Sequence, residues 1–208
     1  MPRRRTLVAA MIVFVMGLWI EDATAQAPRA AVIVHNRASM PADVIHAARQ
    51  IVNGIYARAR IALVWFHATP RLTNVPFDGQ KIRIVIVSRE AADAIRYPAD
   101  ALGFTPGHAG RNGGLAYILE HRVRAVAKGY RTPRSVVLGT AIAHEIGHVL
   151  LPRDHTATGL MRSVFNQSDF RSVARGELLF TPNEASEIRA RLTGAPIDLR
   201  AAASKLSR

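Results

Sequence analysis

The sequence predicts an α+β fold, a small mixed, twisted sheet packed on one central helix, and three observations predict it. Apolar, largely β-branched runs at residues 30–35, 61–66, 81–87 and 115–120 have the length and composition of strands. Segments with apolar residues three and four apart lie between and after them, at 41–58, 134–151 and 182–194. With 208 residues, 49% hydrophobic and 21% charged, the chain can bury one substantial core but hardly two. No internal repeat or domain linker is visible, so residues 26–208 are expected to form a single domain.

The elements follow in order. His35 is expected at the end of the first strand. Pro41 then opens a helix in which Val44, Ile45, Ala48, Ile51, Val52 and Ile55 make one buried face, with His46 on its surface. The strand, helix, strand order predicts parallel neighbours. Between the second and third strands lie Pro70, Asn74, Pro76, Asp78 and Gly79, a turn-rich connection. Residues 91–95 can make a helical turn or two, whereas Gly103, Phe104, Thr105, Pro106 and Gly107 read as loop. Gly110, Gly113 and Gly114 lack the spacing of a phosphate loop and instead allow close backbone approach before the fourth strand. Thr132 and Pro133 read as a capping side chain and a first helical residue for a nearly uncharged helix that Pro152 stops. The last helix is announced by Thr181, Pro182 and Glu184, with Ala185, Ile188 and Leu192 on its inner face and Gly194 at its close.

The first 25 residues read as a secretory signal peptide. Arg3, Arg4 and Arg5 precede a short apolar run, and small residues follow, so cleavage after Ala25 or Ala27 satisfies the rule. A secreted or periplasmic location is therefore expected, with no stable membrane span after cleavage and no room for a pro-domain before the first strand. Removing residues 1–25 takes three of 28 basic and two of 15 acidic residues, so the charge is 25 − 13 = +12. Such a surface attracts anionic polymers and headgroups. Its arginines are scattered, without the basic stripe and stacking aromatics of a nucleic-acid site, so no nucleic-acid partner is expected. There is no cysteine, which excludes disulfides, thiolate ligands and a cysteine nucleophile.

The chemistry concentrates in one stretch of the apolar helix, His144, Glu145, Ile146, Gly147 and His148. Two histidines four residues apart on a helix are separated by about 40° around the axis and one turn along it, so both reach one ion. Glu145 then stands beside the ion as the catalytic proton acceptor for an activated water, the mechanics of the H-E-x-x-H pattern with one catalytic Zn2+. A chance surface occurrence would carry charged neighbours, and none flank the motif on either side. A catalytic zinc takes three protein ligands, and His155 lies seven residues beyond His148, past a proline that lets the chain fold back.

These residues resemble the metzincin clan of zinc peptidases, whose motif is H-E-x-x-H-x-x-G-x-x-H followed by a methionine turn. His144, Glu145 and His148 match, His155 resembles the third ligand, and Met161 resembles the methionine beneath the metal. Two departures mark a divergent, bacterial-type variant: Leu151 replaces the glycine, and the third histidine arrives one residue late. A gluzincin-like alternative would take Glu177, Glu184 or Glu187 as third ligand, but His155 with Met161 explains more residues. The resemblance implies a zincin-like, metzincin-type fold and a secreted endopeptidase acting on protein or peptide, with residues 115–120 as the sheet edge that pairs with extended substrate. It supplies no oxyanion-stabilising residue; Arg162 and His108 are candidates, and Asp154 is one for orienting a ligand. A zinc amidase or cell-wall hydrolase, and a non-catalytic metal-binding protein, are the competing functions. Glu145 argues against the last, because it binds no metal in this reading.

Overall fold

The computed structural model describes residues 27–68, 77–95, 97–106, 114–151 and 155–194. The expected signal peptide, Pro70, Asn74, Pro76, His108, Gly110, Gly113, Pro152, Asp154 and everything beyond residue 194 lie outside them.

Eleven elements follow one another among the described residues. They are β1 (Arg29–Asn36), α1 (Ala42–Arg58), β2 (Ala62–His67), β3 (Lys81–Val87), α2 (Arg89–Asp93), β4 (Gly103–Phe104), β5 (Gly114–Leu119), α3 (Glu120–Gly129), α4 (Arg134–Leu150), α5 (Gln167–Ala174) and α6 (Pro182–Thr193). The sheet order is β2-β1-β3-β5-β4, parallel throughout except for the antiparallel β4. It is thus the mixed sheet expected, and β1 and β2, joined by α1, are parallel neighbours. No described helix is long and apolar enough to cross a membrane.

The inner strands β1 and β3 are largely buried on both faces, as parallel strands generally are, while β2 at the edge is half-buried. Val32, Val34, Ile82, Ile84, Ile86, Ala116 and Ile118 face the main core, while Val85, Val87 and Leu119 join Ala92 of α2 in a smaller cluster on the other side. Against the first face pack α1 and α4. Their backbones approach closely at Gly139, where a Cβ would lie 3.0 Å from both the Ala48 carbonyl oxygen and Ile51 Cβ. The Tyr56 hydroxyl donates to the Ala143 carbonyl at 3.1 Å, and its ring meets Phe180 edge-on, tying α1 to the middle of α4. Helix α4 is buried at almost every position. That is why its sequence shows so little charge.

Four local expectations need correction. Gly103 and Phe104 form an edge strand rather than loop, with Gly103 opposite Ile118 and Phe104 opposite Tyr117. As a result the end of β5 is covered, and β5 is not the free edge expected to receive substrate. Helix α3 begins at Glu120, where the fourth strand was expected to finish; Val123 and Ala127 bury one face of it among basic residues that obscured the period. Thr132 does not cap α4. Its hydroxyl bonds to the Tyr130 carbonyl, and Pro133 itself, in extended conformation, is the cap residue. Helix α5 was not anticipated either, although Asn166 and Asp169 form a capping box at its start. The last helix is as expected: Thr181 and Glu184 make the capping box, and Gly194 ends it at φ 69°.

Candidate metal centre

Helix α4 delivers two of the three histidines. One turn apart, His144 and His148 place their ring centroids 4.6 Å from each other and nearly perpendicular. The helix ends at Leu150, and Leu151 is extended (φ −107°, ψ 132°), its N–H still bonded to the Gly147 carbonyl at 2.8 Å. The residue before a proline is driven out of the α region, so Leu151 turns the chain away without the glycine of the metzincin pattern.

The chain returns at His155 and closes a small loop beneath the helix. Thr156 N–H donates to the Met161 carbonyl at 2.8 Å, Leu160 N–H donates to the Leu179 carbonyl at 2.9 Å, and Gly159 takes φ 76° with the Leu179 carbonyl close above it. This loop brings His155 to the other two. The Nε2 atoms of His144, His148 and His155 lie 2.9, 3.2 and 3.3 Å from one another. Among the described residues this is the one group of three or more His, Asp or Glu side chains close enough to share an ion.

The donor set fits a metal. Three ligands at about 2.0–2.1 Å in tetrahedral directions stand roughly 3.3 Å apart, close to what the nitrogens show. His144 supplies a second test. Its Nδ1 lies 2.9 Å from the Leu160 carbonyl, which only accepts, so Nδ1 carries the proton and Nε2 presents a lone pair to the cluster. Burial drives His144 down to a pKa of about 3, with the Leu160 bond opposing and the neighbouring histidines adding to the fall. A neutral imidazole is the form that binds metal.

Glu145 is buried beside the histidines, and burial raises its carboxyl to about 8 in the metal-free chain. The hydroxyl of Thr105 donates to Oε2 at 2.9 Å and pulls the value partly back. All four side chains, His144, Glu145, His148 and His155, line one cavity of about 690 Å³, whose walls include Leu102, Arg122, Val126, Tyr130, Phe165 and Phe170. Phe165 stands edge-on to His144 at 5.4 Å.

The other candidates lie elsewhere or serve other purposes. The Glu184 carboxylate accepts from Thr181 N–H at 2.8 Å and from the Thr156 hydroxyl at 2.9 Å, a capping and loop-anchoring role. Glu177 is exposed and pairs with Arg175. Glu187 is on α6 and, like Glu184, outside the cluster. Arg162 is paired with Asp169 at 2.5 Å and is not among the residues that line the cavity. His46 is exposed on α1 beside Gln50, and His35 is the last residue but one of β1. Thr105, Gly103 and the Leu160 carbonyl had no signal in the sequence: the first two sit in a stretch that reads as loop, and a carbonyl is present at every residue.

Fold and site together define an α+β domain whose central helix carries a buried glutamate and two histidines of a three-histidine cluster that could hold a metal ion. No protein-family model matches the chain. No curated protein matches it. Among solved structures it is similar to archaemetzincin from Archaeoglobus fulgidus, with 12% identity, 76% of this chain and 99% of that one covered, and a TM-score of 0.45. It is also similar to archaemetzincin from Methanopyrus kandleri (10% identity, 81% and 97% covered, TM-score 0.49). Metalloproteinase-II from Bacteroides fragilis is a third likeness, at 12% identity and a TM-score of 0.47, with 80% of this chain but 54% of that one covered.

Proposed function

We propose that the chain is a secreted zinc-dependent endopeptidase. The observation that carries this is the convergence of three histidine Nε2 atoms, two of them from α4, on the wall of the cavity that Glu145 also lines. The H-E-x-x-H sequence and Met161, resembling the metzincin pattern, support the same reading.

In this proposal His144, His148 and His155 hold one zinc ion through Nε2, and the Leu160 carbonyl keeps the His144 ring and tautomer in place. The ion, when bound, supplies Lewis acidity toward a carbonyl and makes water a better nucleophile near neutral pH. Glu145 accepts the proton that the attacking water gives up, and returns it to the departing amine. Peptide enters through the 690 Å³ cavity, whose largely apolar walls take a side chain out of water. Secretion rests on the N-terminal pattern of basic, apolar and small residues. The charge of +12 after cleavage draws the enzyme to anionic surfaces.

The test is expression of residues 26–208, measurement of bound zinc, and assay of protein and peptidoglycan hydrolysis beside Glu145→Gln. We expect about one zinc per chain in both proteins and protein hydrolysis in the parent alone. Peptidoglycan cleavage without proteolysis would move the assignment to an amidase, and absence of bound zinc would sink it.

A further inference from the structure

We infer that the edge strand β4 and the residue that follows it are a seat for Glu145, in which Thr105 is the positioning residue that aims the carboxylate. The inference rests on the proposed role of Glu145 as proton acceptor. Two contacts from one short segment support it, one of space and one a hydrogen bond.

The first is Gly103. A Cβ there would lie 2.9 Å from Glu145 Cγ, 2.5 Å from the Tyr117 carbonyl oxygen and 3.0 Å from Ile118 Cδ1. Its φ is not in the left-handed region, so glycine is required by space and not by backbone conformation. The room it leaves is shared by the Tyr117 carbonyl of β5 and the Glu145 stem.

The second is Thr105. Its hydroxyl has one proton to give and two acceptors in reach, Glu145 Oε2 at 2.9 Å and the Glu145 carbonyl at 3.4 Å. The shorter contact is the hydrogen bond; the longer one is at the limit of the interaction. The last torsion of a glutamate is broad, with no steep staggered wells. One donor on Oε2 therefore decides where Oε1 points. Among the described residues no side chain or backbone donor reaches Oε1. That oxygen is left for a water in the cavity. The 103–105 segment thus grips the stem with Gly103 of β4 and turns the head with Thr105 just after it, forty residues away in sequence from the group it serves.

The experiment uses the full chain with Thr105→Val, which keeps the shape and removes the donor, and Thr105→Ser, which restores it. On the zinc-loaded proteins with a quenched fluorescent peptide pool, Thr105→Val should lower kcat about tenfold or more, the worth of one hydrogen bond to a charged group. KM and bound zinc should stay within about twofold, and Thr105→Ser should recover most of kcat. A second readout needs no activity. In thermal unfolding of the metal-free chain, Thr105→Val should lower Tm by a few degrees with Glu145 present and leave it unchanged in a Glu145→Ala background. Unchanged kcat, a failure of serine to rescue, or equal Tm losses in both backgrounds would each overturn the inference. A parent that cleaves no peptide would refute the proposed function. The unfolding cycle would still decide whether Thr105 and Glu145 are coupled.

Discussion

Gly147 and Met161 share one space: a Cβ on Gly147 would collide with Met161 Sδ and stand 3.1 Å from its Cε and 3.2 Å from Phe180 Cε1. Met161 is fully buried there, against the helix turn that carries His148. The methionine thereby clamps the 156–162 loop, and with it the Leu160 carbonyl, to the backbone of α4. The helix can accept that clamp because it has no side chain at this position.

Gly147→Ala should therefore destabilise. Alanine is worth about 1 kcal/mol over glycine inside a helix, but overpacking a core costs about 1–3 kcal/mol. Gly54 on α1 is the control, since a Cβ there meets nothing within 4 Å. Gly54→Ala should raise Tm by about 2–4 °C, while Gly147→Ala lowers it and weakens zinc binding. Shifts of the same sign in thermal unfolding would refute the packing argument.

His155→Ala and Glu184→Ala should separate binding from folding. Losing His155 removes one of three converging nitrogens and should abolish stoichiometric zinc binding with little loss of metal-free stability, because the side chain is exposed. Glu184 is buried and accepts two bonds, one closing the capping box and one from Thr156. Its removal should cost about 1–3 kcal/mol while zinc is still bound. Metal analysis and denaturant unfolding on both variants check this pair, and the reverse pattern would return the third ligand to α6.

The metal-free chain should show an opposed pH dependence at two buried titrating groups, Glu145 and His144. The Glu145 carboxyl rises from 4.5 unfolded to about 8 folded, so folding favours its protonated form, and its contribution is lost as pH climbs through that window. His144 falls from 6.5 to about 3, so its contribution is complete above 6.5 and lost as pH drops toward 3. Glu145→Gln removes only the first effect. In the presence of chelator, its Tm advantage over the parent should be small near pH 4 and grow up to pH 8. A difference independent of pH would show that Glu145 is not desolvated.

Asp169→Ala tests the support of the loop from the other side. Asp169 pairs with Arg162 at 2.5 Å and accepts from Asn166 N–H at 2.8 Å in the α5 capping box. The change should cost about 1–3 kcal/mol and lower zinc affinity indirectly, through the arginine next to Met161. Arg175→Ala, which breaks only the exposed contacts to Glu177 and Ser172, should be near neutral when both variants are unfolded in urea.

Local chemistry made much of this protein legible from its sequence. The strands β1 and β3, the helices α1 and α4, the cap at Thr181 and the stop at Gly194 depend on residues within a few positions of one another, so periodicity and capping rules reach them. The spacing of His144, Glu145 and His148 belongs to the same class, because a helix turns four residues into one face. Tertiary structure alone decided the rest. That His155 reaches the other two nitrogens, and that Glu184 also accepts from Thr156, depend on a loop closed by Leu160, Met161 and Leu179. The edge strand at Gly103 and Phe104 is too short to carry a period and exists because β5 offers it partners. Thr105 meets Glu145 only once that strand is laid down. Local propensities are summed along the chain, whereas His144 and Leu160, Thr156 and Glu184, and Thr105 and Glu145 lie 16, 28 and 40 positions apart and meet through packing that no short window of sequence contains.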